Sequence, residues 1–149
     1  MKTHPEPVSF DRLKGESLIR GESTLALVCN ESFDDVAARL EACIAANDLA
    51  IVHVHDFTRM LGTNGMAPNL RCRVYEVLNA RLAAQLITLD AGLAHVLPCR
   101  ISMHDRGGVT TVTTPMPSAL MTEFSHAVEV ARLARSFESA MHRVLRGLR

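Results

Sequence analysis

The chain has 149 residues, with 16 Lys and Arg balanced by 16 Asp and Glu, and no Trp. That length suits one domain and buries about 70% of the unfolded surface, while 48% hydrophobic content excludes a disordered chain. Zero net charge argues against a general nucleic-acid binder, and a single Tyr leaves no aromatic platform for single strands.

Residues 1–23 carry Pro5, Pro7, Gly15 and Gly21 without a period and read as an N-terminal arm. No apolar run of signal-peptide type occurs there, and no stretch approaches the ~18 apolar residues of a membrane helix. The expectation is a cytoplasmic protein with no membrane contact. Its four cysteines, Cys29, Cys43, Cys72 and Cys99, form no C-x-x-C pair and are expected as reduced thiols.

Thr24 to Cys29 is a short apolar run and predicts the first strand. Ser32 then caps a helix with Asp34 and Asp35 in its first turn, where negative charge suits the dipole. Phe33, Val36, Leu40 and Ile44 recur at helical spacing. Leu49 to Asp56 reads as a second strand, Phe57 to Leu61 as one helical turn, and Gly62 to Asn69 as a loop. Leu70 to Leu78 alternates as a third strand. Asn79 caps the next helix, with Leu82, Leu86 and Leu89 on its apolar face. Pro98 opens a fourth strand, Cys99 to His104. Asp105-Arg106-Gly107-Gly108 reads as a hairpin turn into a fifth strand, Val109 to Thr114. Ser118 to Phe124 predicts a short helix and His126 to Leu148 a long one. No repeat or linker breaks the chain, so the reading is a single α+β domain.

Alternation along strands sorts the candidate functional residues. If Val52 and Val54, Cys72 and Val74, and Cys99, Ile101 and Met103 face the helices, the other face collects His53, His55, Arg71, Arg73, Tyr75, Arg100 and His104. Such a set would attract a small anion. His53, His55 and His104 could instead hold a metal if their strands are neighbours. The alternative is the ordinary wet face of an antiparallel sheet. Cys99 follows Pro98 and precedes Arg100, which could stabilise a thiolate and make it the most reactive of the four thiols. It could equally be a buried apolar residue. No G-x-S-x-G, P-loop or G-x-G-x-x-G occurs, so no catalytic residue is assigned. Val130, Ala134, Phe137, Met141, Val144 and Leu148 form a stripe long enough to suggest a homodimer contact.

Tyr75-Glu76-Val77-Leu78-Asn79, Leu97-Pro98-Cys99-Arg100-Ile101, Gly107-Gly108 and Thr113-Thr114-Pro115 resemble the bacterial and archaeal family called domain of unknown function 302. The likeness spans roughly residues 24–118 and leaves the C-terminal helix outside it. It implies an α+β fold like a single copy of the TATA-binding-protein arrangement, dimers in some members, and no established activity. The expected architecture is therefore an arm (1–23), a family-like core (24–118) and a helical extension (119–149) packed on the same domain. Its sheet is about five-stranded and mainly antiparallel, with helices on one face. Three functions compete: a homodimeric module binding a small anion or metal, a sulfur-carrier or redox protein using Cys99, and a non-catalytic interaction subunit.

Overall fold

Residues 17–21 and 23–149 are described by a computed structural model, in which six antiparallel strands run in the order β1-β2-β6-β5-β4-β3. The strands are β1 (Ser17–Arg20), β2 (Thr24–Cys29), β3 (Ala50–Asp56), β4 (Cys72–Leu78), β5 (Cys99–Arg106) and β6 (Val109–Pro115). The helices are α1 (Phe33–Ala46), α2 (Phe57–Thr63), α3 (Ala80–Leu89), α4 (Pro117–Thr122) and α5 (Val128–Arg146), with a 3-10 helix at Ala91–Val96. The fold is α+β, as the sequence suggests. Ser17–Arg20, read above as part of the arm, pair with β2 and add an edge strand. Residues 1–16 of that arm lie outside the described residues.

Local chemistry explains the boundaries. The Ser32 hydroxyl accepts the Asp35 backbone N–H at 3.2 Å and starts α1. The Asn79 side chain accepts the Leu82 N–H at 3.0 Å and starts α3. Gly107 and Gly108 take φ of 59° and 79°, the left-handed pair that lets β5 turn directly into β6.

The core lies between one face of the sheet and α1, α3 and α5. Leu25, Leu27, Tyr75, Val77, Ile101, Met103 and Val112 come from the strands, and Leu40, Leu86 and Phe137 are among the helical residues that cover them. Each such side chain contributes about 1.5–3 kcal/mol when fully buried. On α5 the whole stripe Val130, Ala134, Phe137, Met141 and Val144, with Leu148 beyond it, is buried within this chain. The argument for a dimer through a half-uncovered last helix therefore fails: α1, α3, α4 and the sheet at β2 pack against that helix within the same chain.

Candidate functional site

Register decides which strand residues share a face, because directly paired residues point the same way. Tyr75 pairs with Ile101 and Val77 with Cys99, so these four face the helices. Glu76 pairs with Arg100 and with His53, and Val74 pairs with Ser102 and with His55. Those residues occupy the far face. Toward β2 the far face is closed, since Ala26, Val28 and Thr111 are buried there. Its opening lies at the β3–β5 end.

At that opening one carboxylate lies between two potential cations. Glu76 Oε1 lies 3.3 Å from His55 Nε2 and 3.8 Å from Arg100 Nε. The Glu76 side chain is only 19% exposed, whereas Arg100 is 66% exposed. His53 meets His55 edge-on at 4.4 Å, and Phe57 lies near-parallel to His55 at 5.9 Å. The turn that delivers Phe57 is fixed twice. Asp56 accepts the Arg59 N–H at 3.1 Å, and the Thr58 hydroxyl accepts the Cys72 N–H at 2.7 Å. A cavity of about 420 Å³ is lined by His55, Phe57, Glu76, Arg100, Ser102 and Thr113, with Val74 and Pro115 completing the wall.

The expected residue set is thus split between two faces. His53, His55, Arg100 and His104 share the far face. Arg73 and Tyr75 belong to the helix side of β4, and Arg71, one residue before the strand, packs on the same side against α1, which corrects the expected alternation. Tyr75 is fully buried. Arg73 donates to the Tyr75 hydroxyl at 3.2 Å, and that hydroxyl donates to Glu41 at 3.2 Å. The Arg71 guanidinium lies 4.2 Å above the Phe33 ring, that of Arg73 lies 5.3 Å from it, and Arg71 pairs with Asp34 at 3.0 Å. Burial pushes the Tyr75 phenol above its ordinary value, with Arg73 opposing and Glu41 adding to the shift. The Arg71 hydrogen bond holds the Asp34 carboxyl below its ordinary value, and Asp34 in turn raises Arg71. Cys72 and Val74, expected in the core, lie on the far face with Glu76.

The strand β3 departs from expectation for a different reason. A register shift between Ile51 and His53 leaves Ile51 opposite Val77 while His53 and His55 keep the far face. Val52 is 55% exposed and Val54 39%, so neither is core. The proposed trio His53, His55 and His104 does not assemble. Strand β4 separates β3 from β5, and His104 pairs with Cys72 while His53 pairs with Glu76, four residues along β4. Among the described residues no three His, Cys, Asp or Glu side chains are placed to share a metal ion.

Cys99 is buried, and desolvation pushes its thiol up to about 11. Arg100, invoked as its activator, points to the opposite face because consecutive strand residues alternate. That corrects the expectation of a reactive Cys99; all four cysteines are thiols outside any disulfide. The residue that the sequence reading missed is Glu76. Its parity with Cys72 and Val74 on β4 was the available signal, hidden by assigning that parity to the core.

A sequence profile described as "Domain of unknown function DUF302" matches residues 25–148. The match runs through α5, so the C-terminal helix lies inside the family unit rather than beyond it. A crystal structure of an uncharacterised conserved DUF302 protein from Bacillus stearothermophilus superposes with a TM-score of 0.81 at 18% identity. The alignment covers 87% of this chain and all of that one, which establishes the shared fold. No curated protein matches the sequence.

Proposed function

The chain belongs to the DUF302 family, whose function is unknown, and from that premise we propose that it is a binding module for a small carboxylate or phosphate anion. One observation carries the reading: Glu76 is flanked by His55 and Arg100 inside a bounded cavity rather than on a flat wet surface. Arg100 meets Glu76 through Nε at 3.8 Å and is 66% exposed, which suits its forked nitrogens to a bidentate anion. His55 adds a second positive charge when protonated, and Phe57 offers an apolar wall for a planar group. No reaction is assigned, since the cavity lining holds no nucleophile paired with a base. The thiol alternative is disfavoured by the burial of Cys99. Titrating acetate, sulfate and phosphate into the protein should raise its melting temperature by mass action. Arg100→Ala should remove that rise. Equal stabilisation of wild type and variant, or none in either, sinks the reading.

We also infer that the homodimer contact uses the free-standing edge of β3 rather than α5. Ile51, Val52 and Val54 on β3 and Met60 on α2 are 37%, 55%, 39% and 48% exposed. An edge strand carrying such apolar residues favours pairing with another copy. Light scattering should give dimer mass for the wild type and monomer mass for Val52→Lys. Monomer mass for the wild type at micromolar concentration refutes this contact.

A further inference from the structure

A second cavity, of about 290 Å³, opens where β5 begins, between the 3-10 helix and α4. Leu97, Cys99, Pro117, Leu120, Met121 and Phe124 make its walls mainly apolar, with His95 and Arg100 among the lining residues. Arg100 and Pro115 line both this cavity and the far-face one. That sharing follows from the strand itself. Cys99 and Arg100 are consecutive and point to opposite faces, so at the rim of the sheet one residue separates the two spaces. The Cys99 thiol, pushed up to about 11 by burial, stays uncharged and acts as apolar wall. Leu120 is 36% exposed and Phe124 53%, leaving apolar surface at the mouth. The Phe124 ring is met edge-on by His95 at 4.5 Å, and His95 Nδ1 lies 2.7 Å from the Gly92 carbonyl oxygen. An engineered apolar cavity of about 150 Å³ stays dry and takes a benzene. This one has roughly twice that volume, room for an aryl group with a short side chain or a medium-length acyl chain.

We propose that the anion of the far-face site is the head of an amphipathic organic acid, whose carboxylate engages Arg100 while its apolar body enters the cavity between the 3-10 helix and α4. The assignment rests on the anion-binding reading above and names its ligand class. A polar anion alone would leave the apolar cavity unused, and a neutral apolar ligand would make no use of Arg100, which lines both cavities. An acid with a hydrocarbon body satisfies both through the one residue they share.

Calorimetric titration of the full chain with acetate, butanoate, hexanoate, octanoate and inorganic phosphate tests this. Affinity should rise about fourfold per added methylene until the cavity is filled. Leu120→Trp, at a partly exposed position on α4, should block the cavity. It should abolish the chain-length gain, so that octanoate binds the variant no better than acetate does. Arg100→Ala should weaken every acid in the series. If octanoate binds no better than acetate, or if Leu120→Trp keeps the chain-length gain, the ligand class is wrong while the anion site stands. If none of the acids nor phosphate binds, both readings fall. Octanoate binding that Arg100→Ala leaves unchanged would overturn the head-group assignment. A folded circular dichroism spectrum of each variant keeps the comparison valid.

Discussion

The strand β4 carries charge on both faces, and the two faces put it to opposite uses. On the helix side, Arg71 and Arg73 have their partners inside the fold. Phe33 takes both guanidinium faces, Asp34 takes Arg71, and Tyr75 links Arg73 to Glu41. On the far side, Glu76 is the more enclosed member, and His55 and the exposed Arg100 flank it at the edge of an open cavity. A charged residue whose partners are already inside the fold holds elements together. One whose partner is shared and partly replaceable is free to meet a ligand. Residue type alone does not separate the cases, since both faces display arginine and carboxylate.

The comparison breaks most sharply at Tyr75. As a helix-face residue, Tyr75→Ala should cost about 3–5 kcal/mol, read from the urea midpoint. A loss under about 0.5 kcal/mol is the signature of a wet-face residue and would undo the assignment of faces. Cys99 tests the same boundary chemically. A thiol near 11 rather than 9.0 has a thiolate fraction lowered about a hundredfold, so limiting iodoacetamide at neutral pH should label it after the partly exposed Cys43 and Cys72. Labelling of Cys99 first would restore the redox reading. A paired contrast sharpens the two roles of arginine. Arg73→Ala should lower stability by about 1 kcal/mol through its lost ring contact and hydrogen bond. Arg100→Ala should lower stability by less than about 0.5 kcal/mol yet remove the response to anions. The smallest effect belongs to Asp34. Its carboxyl is depressed in the folded chain, so its contribution is present above its ordinary value of 3.8 and is lost as pH falls through the lower folded value. Asp34→Asn should therefore flatten the acid limb of a stability–pH curve slightly, because the residue is exposed.

Much of the fold was legible because its signals are local. The caps Ser32 and Asn79, the glycines at 107 and 108, and the period of α5 each act within a few residues. The face of β4 was not, because both of its parities contain apolar residues. Cys72 and Val74 made one parity look buried, while the opposite parity, with Tyr75 and Val77, goes into the core. Only pairing with Ile101 and Cys99 on β5 decides between them, and pairing is a long-range fact. The same limit hid Glu76 and assembled a metal trio that an intervening strand keeps apart. It also concealed β1, whose four residues become a strand by joining the edge of β2. The affinity of Arg100 for two cavities could not be read at all, since it depends on how α4 closes over the start of β5.

The pairing of β2 with β6 bears on how the molecule forms. Thr24 is paired in register with Pro115 and Cys29 with Thr110, so neighbouring strands inside the sheet come from distant parts of the chain. Joining them closes a loop of most of the domain before the contact returns any energy, which slows folding. During synthesis, β2 leaves the ribosome long before β6 and lacks its inner neighbour until residue 115 has been made. At about 5–20 residues per second that interval lasts several seconds to about a quarter of a minute, with an apolar strand edge open to misassociation. Nascent chains stalled before β6 should therefore be captured by chaperones, and chains carried past it should be released.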